Sequence, residues 1–211
     1  MKASNDNAAK IIGIMGASGC GKTHYLRAQL AKKKRRRTLI WSPKEAVDNY
    51  ASFYPNSVVV RSAGEVINIM REAGKSKEFH IVFRPRLNRK IDAAQFNVVC
   101  KAAMVSEPLT FIAEELHTVT LPSWSPDGWG ELTMMGRGYG HEVFGLSQRP
   151  ASVDKDFFGN LSLLHVGRMA FDDDAKAVAK ALRVPAAQVM DLSGFGWIEP
   201  DMLNGKVTDS P

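Results

Sequence analysis

The chain has 211 residues, 45% hydrophobic and 24% charged, which is length and apolar content enough for one domain with a sizeable core. Its net charge of +6 permits a polyanionic partner without demanding one. No apolar run approaches membrane-spanning length and the opening MKASNDNAA lacks a signal-peptide core, so a membrane-embedded or exported protein is not expected. The two cysteines, Cys20 and Cys100, fit a reducing, intracellular setting better than a disulfide framework.

In chain order, residues 1–9 read as a polar tail, 10–200 as a single domain and 201–211 as a second tail. An apolar β-branched run (Ile11, Ile12, Ile14) leads into G-x-x-x-x-G-K-[ST], from Gly16 to Thr23, and a helix pattern (Tyr25, Leu26, Leu30) follows. Strand, loop and helix in that order are the context in which this motif binds phosphate. Gly16, Ala17, Ser18, Gly19, Cys20 and Gly21 would supply backbone N–H groups, reinforced by the helix N-terminus. Lys22 would reach the β- and γ-phosphates and the Thr23 hydroxyl would ligate Mg²⁺. Cys20, beside Lys22, reads either as a reactive thiol or as a small side chain filling the loop.

The basic run Lys32–Arg37 reads as a solvated helix end or as a contact for nucleic-acid phosphates. Strands are expected at Thr38–Pro43, Ser57–Ser62 and His80–Arg86, and helices at Lys44–Phe53, Ala63–Gly74 and Ile91–Val105. This alternation predicts an α/β fold with a mostly parallel central sheet flanked by helices. Leu109–His117 then places two carboxylates, Glu114 and Glu115, at the carboxyl end of a buried strand, the edge where open α/β sheets bind ligands. Neighbouring positions on a strand point in different directions, so Glu114 can serve Mg²⁺ while Glu115 orients and deprotonates a water. Glu114 stands where Asp is usual and needs a strand end set slightly further back. His117 takes no assigned role.

The loop Leu121–Gly130 carries Trp124 and Trp129, which read either as exposed stacking platforms or as packing under the loop. A helix over Glu131–Arg137 precedes a strand over Val143–Ser147, whose tip presents Gln148. A glutamine there can contact a γ-phosphate or the attacking water without competing for its proton.

Phosphate loop, paired acids, and GRGYGHEVFGLSQRP (Gly136–Pro150) together resemble the FtsK–HerA superfamily of DNA-pumping P-loop ATPases. Leu161–Leu182 is similar to that family's last core strand with its acidic loop and helix, and Gly194–Pro200 to its closing hairpin strand. The resemblance covers nearly the whole chain, although Thr38–Arg86 matches only as strand–helix alternation. It implies an ATP- and Mg²⁺-dependent RecA-like motor that forms a homo-oligomeric ring, with a hexamer favoured, around double-stranded DNA. Glu114 matches the metal-associated acid, Glu115 the catalytic glutamate, Gln148 the sensor and Arg137 the arginine supplied in trans, with Arg149 and Arg168 as rivals for that role.

Without membrane segments or accessory domains, the chain looks most like the genome-packaging ATPases of membrane-containing, double jelly-roll viruses and phages. That implies a location in the host cytoplasm or on the virion, with capsid-vertex proteins as further partners. The alternatives are a Zot-like assembly ATPase of filamentous phages, a HerA-like DNA-processing ATPase, a small-molecule P-loop kinase and a non-hydrolysing nucleotide switch.

Overall fold

The computed structural model describes residues 10–44, 50–200 and 207–209. Among them run nine strands in one sheet, ordered β3-β4-β2-β5-β6-β1-β7-β8-β9. The strands are β1 (Ile11–Met15), β2 (Arg37–Trp41), β3 (Val58–Val60), β4 (Phe79–Phe83), β5 (Thr110–Ala113), β6 (Glu142–Ser147), β7 (Leu163–Gly167), β8 (Trp197–Pro200) and β9 (Val207–Asp209). From β3 across to β7 all pairings are parallel, and only β7–β8 and β8–β9 are antiparallel. β9 lies within the stretch read from the sequence as a tail, so part of that stretch extends the sheet.

The helices are α1 (Lys22–Ala31), α2 (Tyr50–Phe53), α3 (Ala63–Ala73), α4 (Arg89–Met104), α5 (Asp127–Met135), α6 (Lys155–Gly159), α7 (Asp172–Leu182) and α8 (Ala186–Met190). Alternation along the buried strands divides the core. Ile11, Met15, Leu39, Trp41, Phe111 and Val143 face one side of the sheet, whereas Ile12, Ile14, Ile40, Ile112 and Phe144 face the other. On the first side Trp41 stacks on Phe83 at 4.5 Å and meets Phe96 of α4 edge-on at 5.0 Å. Helix starts are capped from the sequence: Ser62 and Glu65 bond reciprocally at α3, and Asn88 caps α4 through the Ile91 amide.

Three local expectations change. The helix expected from Glu131 begins at Asp127, because Trp129 is wholly buried and its Nε1 donates to Asp154 at 3.2 Å. Trp129 is therefore packing, and Trp124 alone of the pair is exposed, at 49%. The basic run divides: Lys32, Lys33 and Lys34 follow the end of α1 and are exposed, as is Arg36, whereas Arg35 and Arg37 are buried. Arg35 is buried and grips Glu142 through Nε (2.8 Å) and Nη2 (3.2 Å), with Lys33 at 3.3 Å. Lys34 and Arg36 pair with Glu78. Finally, most of the helix expected over Lys44–Phe53 lies outside the described residues; Tyr50–Phe53 is helical and Lys44 is not. Among the described residues no helix is long and apolar enough to cross a membrane.

Candidate active site

Three strand ends meet at the carboxyl edge of the sheet. β6 lies between β1, which feeds the phosphate loop, and β5, which feeds the paired acids. Register does the rest. Met15 pairs with Ser147 and Ala113 with Gly145, so the residues after β5 and β6 end at neighbouring levels. Glu115 and Gln148 meet there, with Gln148 Nε2 donating to Glu115 Oε1 at 2.5 Å.

The phosphate loop leaves β1 through Gly16, whose amide donates to Ser147 O, while the Ala17 amide donates to Arg168 O. Gly21, at φ 97°, turns the chain into α1 in a left-handed conformation that a β-carbon would strain. A β-carbon on Gly16 would sit 2.5 Å from Cys20 Sγ, so the loop is closed around the buried cysteine. Cys20 is thus packing, not an accessible thiol. The amides of Ser18, Gly19, Gly21 and Lys22 find no backbone acceptor among the described residues, which leaves them for an anion. Lys22 Nζ lies along the loop, donating to Gly16 O (2.8 Å) and Ala17 O (2.9 Å). Burial holds its ammonium below the usual lysine range despite the nearby carboxylates.

Glu114 uses its added methylene to reach sideways. Its carboxylate accepts from Ser42 Oγ at 2.8 Å and Tyr50 Oη at 2.7 Å, both beyond the end of β2, while its amide donates to Trp41 O. Glu115 sits at φ 51°, turning out of β5 into a single 3₁₀ turn over Leu116–Thr118. Its Oε1 accepts from Lys44 as well as from Gln148. Its Oε2 is buried without a hydrogen-bond partner among the described residues, His117 Nδ1 lying 3.4 Å away. Burial alone would push this carboxyl up; Lys44, Gln148 and the His117 charge outweigh it and hold Glu115 below the ordinary glutamate range.

Lys44, Ser42 and Tyr50 were not singled out in the sequence. No motif marks them, because their positions follow from β2 lying beside β5. His117 does touch the site: it is bonded to Ser147 Oγ at 3.1 Å, and burial lowers its pKa.

Ser18, Gly19, Gly21, Lys22, Thr23, Lys44, both acids and Gln148 line one cavity of about 530 Å³. A second of about 620 Å³ adjoins it through Gly21, His24 and Phe195. Its walls are aromatic: Tyr25 stacks on His165 at 3.6 Å and Trp197 lies beside them.

The three arginines separate. Arg168 lies at the loop, its Nη2 reaching Ser18 O at 3.4 Å. Arg149 is bound to the buried Asp174 at 2.9 Å and lies over the Phe171 ring. Arg137 is exposed on a 3₁₀ turn ahead of β6, at the amino edge. The six residues of β6 put it roughly 20 Å from its own phosphate loop.

A parallel sheet with a strand between the phosphate-loop strand and the acid-bearing strand, carrying this loop and this acid pair, defines the fold of a P-loop NTPase. The sequence matches no protein-family model. It is similar to Protein P9 of Pseudoalteromonas phage PM2, 24% identical over 186 residues that span 86% of this chain and 79% of P9. In fold it is similar to the genome packaging NTPase B204 of Sulfolobus turreted icosahedral virus 2, solved with ATP-gammaS. That likeness has a TM-score of 0.69 at 13% identity and covers 96% of this chain and 97% of B204. The DNA-packaging ATPase B204 of Sulfolobus turreted icosahedral virus gives 0.70 at 17% identity over 99% and 98% of the two chains. In fold the chain thus resembles these two viral packaging proteins over nearly its whole length.

Proposed function

We propose that this chain hydrolyses ATP to drive double-stranded DNA, acting as the genome-packaging motor of a virus or phage. The observation that carries the hydrolytic reading is Glu115: a carboxylate held below the ordinary glutamate range, fixed by Lys44 and Gln148, and lining the phosphate-loop cavity. A carboxylate so placed suits a general base, which orients and deprotonates a water at hydrogen-bond distance. Gln148 holds the base from one side and reaches toward the same water or the γ-phosphate. Loop amides and Lys22 would take the phosphates, Lys22 exchanging its loop carbonyls for them. The aromatic cavity beside His24 and Phe195 suits the base of the nucleotide by stacking.

The residues present fit Mg²⁺, which takes oxygen ligands and keeps much of its water: Thr23 and Glu114 line the same cavity, and Ser42 and Tyr50 hold the carboxylate in place. Bound there, the ion would neutralise charge on the β- and γ-phosphate oxygens. Arg137 lies too far from its own loop to serve it, which supports its service to a neighbouring copy in a homo-oligomeric ring. Likeness to the B204 packaging ATPases and to P9 supports the viral role, host cytoplasm or virion as its place, and capsid-vertex proteins as partners.

Steady-state ATP turnover, with and without long duplex DNA, tests the reading. Glu115→Gln keeps the acceptor for Lys44 and Gln148 but removes the base, so kcat should fall about 10²–10⁴-fold with ATP affinity nearly unchanged. Turnover that needs a small phosphate acceptor would make the chain a kinase. Full turnover in Glu115→Gln would remove this glutamate from the mechanism.

A further inference from the structure

Most cations of this chain that sit in clusters are already spent. Lys33 and Arg35 serve Glu142, Lys34 and Arg36 serve Glu78, and Arg37 donates to the carbonyls of Gly74 and Lys77. Lys44 is held by Glu115 and Arg149 by Asp174. At the carboxyl edge, among the described residues, Arg86 on the connection from β4 to α4 and Lys90 in the first turn of α4 are not spent in this way, and Arg89 lies between them in the chain. Among the described residues the Arg86 guanidinium and the Lys90 ammonium form no ion pair, and both side chains are exposed.

This connection is rigid. Buried Asp92 accepts from the Arg86 amide at 3.0 Å, and Asn88 caps α4. Between them Leu87 is held at φ 63°, a costly conformation for a side chain of its kind, and stands 74% exposed. Across a groove of about 630 Å³, lined also by Arg89 and Lys90, stands Trp124, with Asp127 as the acidic group of the lining. Trp124 is presented by a tight turn closed by reciprocal bonds between Leu121 and Trp124.

We propose that the Arg86–Lys90 connection and the Trp124 turn grip the phosphate backbone of double-stranded DNA. The proposal rests on the DNA-motor reading above and assigns that partner its surface on this chain. Arg86 on the preformed connection and Lys90 in the first turn of α4 offer two cations to the phosphates, and Leu87 and Trp124 offer apolar faces to the sugars between them.

The surface is also wired to the base. Arg89 Nη2 donates to Thr120 O at 2.9 Å, and Thr120 is joined to Glu115 by the 3₁₀ turn, where Thr118 donates twice to Glu115 O. A strand of DNA that moves Arg89 or Trp124 pulls on the segment that sets Glu115.

The test is fluorescence anisotropy of a labelled DNA duplex over a KCl series with a non-hydrolysable ATP analogue, beside ATP turnover. Arg86→Ala/Lys90→Ala should reduce the slope of log affinity against log salt by about 2 and weaken binding on the order of 50-fold at 0.1 M salt. Basal turnover should persist while DNA stimulation is lost. Lys33→Ala/Lys34→Ala, at the amino edge, should bind DNA as the parent does. If the parent binds duplex and the Arg86/Lys90 variant matches it in affinity and slope, this surface is wrong and the motor reading stands. If the parent hydrolyses ATP yet neither binds duplex nor responds to it, both fall.

Discussion

Lys44→Met isolates the cation that keeps the proposed base ionised. The Glu115 side chain is 9% exposed and Lys44 40% exposed, so the pair is neither a surface bridge nor a fully dry one. Breaking a buried pair costs about 3–5 kcal/mol and an exposed one about 0–1, so the loss here should be about 1–3 kcal/mol near neutral pH. Without Lys44 the burial of Glu115 is no longer outweighed, so its pKa must rise from its present lowered position. The sign follows from linkage. A carboxyl lowered in the folded state contributes stability above its unfolded pKa and loses it as pH falls through the folded one. The gap between parent and variant should therefore be full near neutral pH. It should close as pH falls through the variant's raised carboxyl pKa toward the parent's lowered one. Urea unfolding across that range measures the gap, and the acid limb of kcat against pH should move upward in the variant. A pH-independent gap together with an unmoved acid limb would refute the account of Glu115.

Two further perturbations probe the frame and the ring. Arg35→Met leaves Glu142 buried with Lys33 and Thr110 as its side-chain partners among the described residues, and should cost about 2–4 kcal/mol in urea unfolding. Arg35→Met/Glu142→Met should recover most of it, and a single variant within 0.5 kcal/mol of the parent would show the clamp to be idle (about that much being the scatter of a surface change). Arg137→Ala should lower kcat by about 10³-fold if it completes a neighbour's site, and mixing it with Glu115→Gln should restore part of the turnover. No recovery on mixing would return the role to Arg168, which already lies at its own loop.

Legibility followed chain-local signals. The phosphate loop, the acid-bearing strand and the Gln148 strand each declare themselves within about ten residues, through motif, apolar run and turn chemistry. Their convergence was also readable, since parallel strands deliver their carboxyl ends to one edge. What escaped depended on pairing between distant segments. Ser42, Lys44 and Tyr50 matter only because β2 lies beside β5, and no local pattern encodes that neighbour. The burial of Arg35 escaped for the same reason, since its partner Glu142 lies 107 positions away. The start of α5 escaped differently: Pro126 and Gly128 look like loop residues, yet Pro126 is the N-cap of α5 and Gly128 admits the close approach of Asn97 O.

The distribution of cations follows from these pairings and explains why a basic chain need not be sticky all over. At the amino edge four cations of the densest positive run pair with two carboxylates, Lys33 and Arg35 with Glu142 and Lys34 and Arg36 with Glu78, which ties the entry to β2 to the starts of β6 and β4. At the carboxyl edge Lys22 and Lys44 line the phosphate-loop cavity, Arg168 reaches the loop at Ser18, and Arg89, between Arg86 and Lys90 in the chain, bonds to Thr120 in the segment that follows Glu115. A net charge spread evenly would draw polyanions to any face. Cations left without an ion pair on the carboxyl edge would draw them to the edge that carries the phosphate loop, and the Arg89–Thr120 bond joins that surface to the segment that follows Glu115.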